Sequence, residues 1–142
     1  MKKIQITTHS RSEFIDITQM VSEIVQNQSI DEGVCYVYIP HTTAAITINE
    51  NADPSVRKDI LSELDNLVPW NSNYTHREGN AAAHIKSTIV GSSVSIPISE
   101  RKLMLGTWQG IYFCEFDGPR HRQALVQITK SEQYTDKTRH YD

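Results

Sequence analysis

Three stretches of the chain carry the side chains that can do chemistry. They are His41-Thr42-Thr43 with the run to Asp53, His76 to Lys86, and Gln109 to Arg122. An unperturbed imidazole titrates near pH ~6.5, so His41, His76 and His84 are the candidates to hydrogen-bond a phosphate or shuttle a proton. Side chains of an extended chain alternate, which puts His41, Thr43, Ala45, Thr47 and Asn49 on one face and Thr42, Ala44, Ile46 and Ile48 on the other. The first row is small or hydrogen-bonding throughout and holds no long charged side chain, a composition suited to a polar pocket wall. A solvated strand face would show the same alternation.

His84 falls in the first turn of a predicted helix, with Lys86 two residues on, close to a helix N-terminus whose free amides favour anions. A surface histidine and a solvated lysine are the plainer reading of that pair. In the loop before it, Gly79 would let backbone approach a ligand. Alternation groups Glu115 and Asp117 with Gln109. Beside Arg120 and Arg122, and with Asp53, these carboxylates could hold Mg²⁺ and a diphosphate together, because Mg²⁺ prefers oxygen ligands and shares them with substrate phosphates. A structural salt-bridge network at a strand end is the alternative. No histidine sits in an HExxH pattern or at a recognised zinc spacing, so a Zn²⁺ site of His41, His76 and His84 would have to be assembled by folding. Thr42, Thr43, Asn49, Asn51, Asn80, Lys86, Gln109 and Arg120 complete the candidate ligand contacts. The absence of a GxSxG elbow, a Walker loop and a GxGxxG turn argues against a serine hydrolase, a nucleoside triphosphatase and a dinucleotide enzyme.

The elements that must position these groups are mostly strands. Lys3 to Thr8 alternates, Glu13 to Ile17 reads as a second strand, and Thr18 is the expected cap of a helix whose Val21, Ile24 and Val25 form an apolar stripe closed by Gly33. Strands follow over 34 to 39 and 42 to 49. Asp53-Pro54 then opens a helix carrying Val56, Ile60, Leu61, Leu64 and Leu67, which Pro69 stops. Residues 70 to 79 form a polar loop, Asn80 caps a third helix and Gly91 closes it. Strands over 94 to 98, 107 to 116 and 121 to 129 finish the pattern, the last two joined by the turn Asp117-Gly118-Pro119. A polar tail occupies about 130 to 142. The expected class is α+β: one compact domain over 1 to 142, a mainly antiparallel, sandwich-like sheet and two to three helices.

A chain of 142 residues with 38% hydrophobic and 22% charged content can build one core without a metal or disulfide staple. Its net charge of −3 gives no field to gather nucleic acid or an anionic membrane, though a few local Arg or Lys can hold a small anion. No apolar run reaches the ~20 residues of a membrane span, and Met1-Lys2-Lys3-Ile4-Gln5-Ile6 turns polar too soon for a signal peptide. The chain therefore reads as cytoplasmic. Cys35 and Cys114 lie in separate apolar runs and read as reduced, buried thiols.

The blocks HTTAAITINENAD (41 to 53), HREGNAAAHIKS (76 to 87) and LGTWQGIYFCEFDGPRHR (105 to 122) resemble, in order and over nearly the whole chain, those of the YjbQ-like family, also named the secondary thiamine-phosphate synthase family. One departure stands out: Ser99-Glu100-Arg101-Lys102 takes the place of a glycine-containing turn. The resemblance implies a compact α+β subunit that assembles as a homotrimer around a polar cleft built by these blocks. It also implies a transferase of thiamine biosynthesis that joins a hydroxymethylpyrimidine diphosphate to a thiazole phosphate and releases pyrophosphate, as a secondary activity. From residue chemistry, Lys86, Arg120 and a Mg²⁺ on Asp53, Glu115 or Asp117 would take the anionic side, and the three imidazoles the proton. Two alternatives stand beside this: a metal- or phosphate-ligand-binding protein with another enzymatic role, and a structural or regulatory homotrimer.

Overall fold

Period-two burial along the strands of one sheet and continuous burial along the central strand of the other decide the architecture. In the computed structural model, which describes residues 1 to 132, β1 (Lys2–Thr7) and β3 (Gly33–Tyr38) bury every second side chain, as a half-buried strand must. These join β8 (His121–Lys130), β5 (Ser93–Ser99) and the two-residue β6 (Lys102–Leu103) in a five-stranded sheet of order β1-β8-β3-β5-β6. A second sheet of three strands, in the order β2-β7-β4, is built from β2 (Glu13–Asp16), β7 (Gln109–Glu115) and β4 (Ala44–Glu50). Every ladder is antiparallel. The fold is α+β, as the sequence predicts, with three helices among the described residues. The polar tail lies largely outside the described residues.

The sheets pack face to face. Ile4, Val37, Ile96 and Val126 of the larger meet Ala44, Ile46, Ile111 and Phe113 of the smaller in one buried cluster, which Val21 and Val25 of α1 (Thr18–Asn27) complete. The other face of the three-stranded sheet is dry too. Phe14, Ala45, Tyr112, Cys114 and Phe116 pack there against Leu64 of α2 (Pro54–Leu67) and Ala83 of α3 (Ala81–Val90). Each fully buried aliphatic side chain of this kind contributes roughly 1.5–3 kcal/mol. Burial also pushes the Cys35 thiol up to about 11 and raises that of Cys114, so both stay protonated and inert, as expected.

Several local expectations change. Thr18 begins α1 but does not cap it; its hydroxyl accepts the Ile111 N–H at 2.8 Å and so ties the helix to β7. Asp53 does cap α2, accepting the Ser55 N–H at 2.9 Å, with Pro54 at the first helical position. β7 starts at Gln109, because Thr107 and Trp108 belong to a turn. The segment 99 to 102 forms the β5–β6 hairpin with Glu100 and Arg101 both at positive φ (50° and 64°). That two-residue geometry is the one glycine or asparagine usually fills. Among the described residues no helix is long and apolar enough to cross a membrane.

Candidate functional site

β4 begins only at Ala44, and its late start builds the site. His41, Thr42 and Thr43 form a bend, so the strict alternation expected from 41 to 49 does not govern them and all three line one pocket of about 810 Å³. The lower part of the expected polar row goes elsewhere: Ala45 is wholly buried in the helix-side cluster, since α2 and α3 cover that face. The pocket draws its other walls from the 76 to 84 segment and from Asp117, Arg120 and Arg122 after β7. The three histidine-bearing or charged stretches thus meet in one hollow, of a size ordinary for small-molecule sites.

Each wall is held by identifiable bonds. Gly118 lets the 117 to 120 turn close over the first loop, because a Cβ there would lie 2.3 Å from the Ser10 carbonyl oxygen. The Arg120 N–H donates to Thr8 Oγ1 at 2.8 Å, and its guanidinium donates to the Asp117 carboxylate at 2.9 Å. Asn80 Nδ2 donates to the same carboxylate oxygen at 2.9 Å. Asn80 holds the position before α3 yet makes no side-chain cap bond, and its buried Oδ1 has no partner. The first-turn amides of α3 are left without a side-chain acceptor, which suits an anion. His76 and His84 stack edge to face, with ring centroids 5.2 Å apart.

His41 is fixed differently. Its Nε2 accepts the Gln123 backbone N–H at 3.1 Å, which puts the proton of the neutral ring on Nδ1 by assignment from the network. Partial burial, and then the Arg122 charge, hold it below the usual histidine range. Beneath it lies a buried ionic cluster. Glu115 accepts from the Arg122 guanidinium, from Thr8 Oγ1 at 2.7 Å and from the Phe116 and Asp117 amides at 3.1 Å. Burial raises the Glu115 carboxyl, but these donors outweigh it and the net displacement is downward. Arg122 Nη2 also donates to Thr43 Oγ1 at 2.8 Å.

Of the candidates read from sequence, His41, His76, His84, Thr42, Thr43, Asn80, Asp117 and Arg120 line this pocket. Asn49, Asn51, Asp53 and Gln109 do not. The β4–β7 register pairs Ala44 with Glu115 and Glu50 with Gln109, which sets those four residues toward the opposite end of the ladder, about 20 Å from Glu115. There Gln109 accepts the Gly106 N–H and Asn49 the Glu50 N–H. Lys86 is also elsewhere: its side chain, 2% exposed, bonds Asp65 of α2 and stands 6.0 Å from the centre of the Phe116 ring. The carboxylates proposed for Mg²⁺ therefore do not converge, since Asp53 caps α2 and Glu115 is committed to Arg122. Among the described residues no three His, Cys, Asp or Glu side chains stand together as a metal-holding group, the three imidazoles included. Arg122, which the sequence places beside the carboxylates, lines the pocket too, and Tyr38, Ile39, Pro40, Glu78 and Ser92 join it from outside the sequence-derived set. For Pro40 and Glu78 the signal was adjacency to a selected histidine loop; Tyr38 and Ser92 carried none.

The family model described as UPF0047 protein YjbQ-like matches residues 2–131. The chain is 53% identical to UPF0047 protein MJ1081 of Methanocaldococcus jannaschii, over 89% of this chain and 91% of that one. It is 51% identical to UPF0047 protein YugU of Bacillus subtilis, over 90% and 98% respectively. A crystal structure of an uncharacterized YjbQ/UPF0047-family protein from Clostridium acetobutylicum superposes with a TM-score of 0.90 at 50% identity, covering 91% of this chain and all (100%) of that one.

Proposed function

This chain belongs to the UPF0047 YjbQ-like family, and from that premise and the chemistry of its pocket we propose that it binds a small phosphorylated substrate and transfers a carbon group away from diphosphate. The observation that carries this reading is the convergence of His41, His76, His84 and Arg120 with the uncapped start of α3 in one hollow. Imidazole N–H groups, a guanidinium and helix amides are donors for phosphate oxygens.

The reaction this suits is that of a thiamine-phosphate synthase. The bond between the pyrimidine methylene and the diphosphate oxygen breaks, the diphosphate leaves with the electron pair, and the thiazole nitrogen supplies the pair for the new C–N bond. Charge separates in the transition state, so the work is positioning and electrostatic stabilisation. Arg120, with Asn80 at the start of α3, lines the hollow that receives the departing anion. His76 and His84 protonate it, and His41, neutral with its proton on Nδ1, donates a hydrogen bond.

The same proposal includes a homotrimer. What supports it is the outer face of the five-stranded sheet, where Tyr36 and Tyr38 are exposed, Val34 and Leu125 lie beside them, and no helix among the described residues packs; Tyr38 also lines the pocket. The reaction is tested by pyrophosphate release with hydroxymethylpyrimidine diphosphate and thiazole phosphate. His84→Ala is expected to lose turnover while keeping the melting temperature of the parent, and His41→Ala to lose turnover with a lower one, because the Gln123 N–H loses its acceptor; parent protein that releases no pyrophosphate refutes the transferase.

A further inference from the structure

The pocket does not end at the histidines. A second hollow of about 360 Å³ shares His41, Thr42, His84 and Ser92 with it and adds Ala44, Ser87, Thr88 and Gly91 as walls of its own. His41 and His84 therefore belong to the walls of two adjoining compartments. The two differ in charge: the larger carries Glu78, Asp117, Arg120 and Arg122, whereas no residue peculiar to the smaller carries a formal charge.

Ser87 is the observation that gives the smaller compartment a task. The residue is 8% exposed, it lies on the compartment wall, and its hydroxyl has no hydrogen-bond partner. A buried hydroxyl left unpaired costs free energy of the order of 1–3 kcal/mol, and such groups in folded proteins are nearly always satisfied. The neighbouring Thr88 hydroxyl is already committed to the His84 carbonyl, at 2.8 Å. Gly91, at φ 105°, adds open space, because a Cβ there meets nothing within 4 Å.

We infer that this compartment is the subsite for the uncharged heterocyclic half of the substrate, held by the Ser87 hydroxyl, while the diphosphate occupies the larger compartment. The inference rests on the phosphorylated-substrate reading above and adds to it where the ring goes. A hydroxyl can both donate and accept, so after a rotation about its Cα–Cβ bond Ser87 can pair with a ring nitrogen or an exocyclic amine. A neutral wall costs such a ring no ionic desolvation partner. The reacting methylene then lies at the junction, beside His41 and His84, which matches a cleavage that separates ring from diphosphate.

The test uses the full chain and two probes: hydroxymethylpyrimidine without phosphate, and inorganic pyrophosphate, each titrated by amide NMR. The pyrimidine is expected to shift the amides of Ser87, Thr88, Gly91 and Ser92, pyrophosphate those of 76 to 82 and Arg120, and saturation with one is expected to leave room for the other. Ser87→Ala is expected to weaken the pyrimidine about five-fold and leave pyrophosphate unchanged. It removes an unpaired buried group, so its melting temperature should not fall. Thr88→Phe, at the exposed rim, provides a second variant that should obstruct the pyrimidine alone. A pyrimidine that does not bind, that competes with pyrophosphate, or that binds Ser87→Ala and Thr88→Phe as tightly as the parent overturns the subsite. Failure of pyrophosphate alone to bind overturns the diphosphate reading instead, with the pyrimidine shifts still deciding the subsite.

Discussion

Arg122 grips both carboxylate oxygens of Glu115, Nε to Oε1 at 2.9 Å and Nη2 to Oε2 at 2.6 Å, in a buried layer at the pocket wall. The pair joins β7 to β8 and therefore ties the two sheets together. Through Thr43 Oγ1 the same guanidinium fixes the bend that presents His41. Its geometry makes it a positioning group, because the charge is spent on Glu115 and is not free for a ligand.

Removing one partner of such a buried pair leaves the other charge stranded, at a cost of about 3–5 kcal/mol. Glu115→Ala is expected to lower the unfolding free energy by that amount in urea titration. A loss under 1 kcal/mol would mean that the pair does not anchor the sheets. The Glu115 carboxyl is displaced downward, so its contribution is present above the ordinary carboxylate value of 4.5 and disappears as pH falls through the depressed folded value. Glu115→Gln should flatten that acid limb.

His41 contributes in a separate pH window. Its folded pKa lies below the ordinary 6.5, so the folded state prefers the neutral ring, and protonation also breaks the bond from Gln123. Stability from this group is complete above pH 6.5 and declines as pH falls towards the folded value. Ring titration by NMR should give a midpoint below 6.5, and His41→Gln should remove the decline between pH 6.5 and that midpoint. A midpoint at or above 6.5 would mean that the ring is exposed and unpaired.

Lys86 separates a phosphate ligand from a structural cation. The ammonium is buried beside Phe116 while its carboxylate partner Asp65 is 61% exposed. Asp65→Ala should destabilise the protein by about 1–3 kcal/mol by leaving a buried donor unsatisfied, whereas Lys86→Met should be nearly neutral. Pyrophosphate affinity should be the same in both. A ten-fold loss of affinity in Lys86→Met would restore Lys86 as an anion contact.

What the sequence disclosed follows physical range. Local patterns reported well: the Asp53-Pro54 start of α2, the β-branched run of β3 and the Ile46–Ile48 face of β4 depend on neighbours a few residues away. The three motif stretches were visible as chemistry, and the pocket joins most of their histidine and hydroxyl positions. Ala45 misled because alternation does not reveal that both faces of a strand are covered, and Lys86 because a place near a helix start does not reveal which carboxylate the ammonium meets. α2 and α3 supply that cover, and nothing between 41 and 49 encodes their docking. Asn51, Asp53 and Gln109 went astray for a related reason: the antiparallel register carries residues close in sequence to opposite ends of a ladder. The Ser87 compartment was invisible, since an unpaired hydroxyl is a property of packing.

The β5–β6 hairpin offers the last check, because its turn is made by residues that disfavour it. Glu100 and Arg101 both adopt positive φ, a region where a Cβ crowds the following carbonyl at roughly 1–2 kcal/mol per residue. The backbone bonds that hold them, Glu100 N–H to the Glu32 carboxylate at 3.3 Å and Arg101 N–H to the Asp31 carbonyl at 3.0 Å, anchor the turn to the end of the 28 to 32 loop. Asparagine tolerates this conformation, and it replaces Glu100 without the extra unfolded-chain freedom that glycine introduces. Glu100→Asn should therefore raise the unfolding free energy by about 0.5–1 kcal/mol, read as an upward shift of the urea midpoint at constant slope. Because the turn lies outside the pocket, pyrophosphate affinity should be unchanged. A lower midpoint would show that the glutamate side chain itself, not the backbone it strains, holds the hairpin in place.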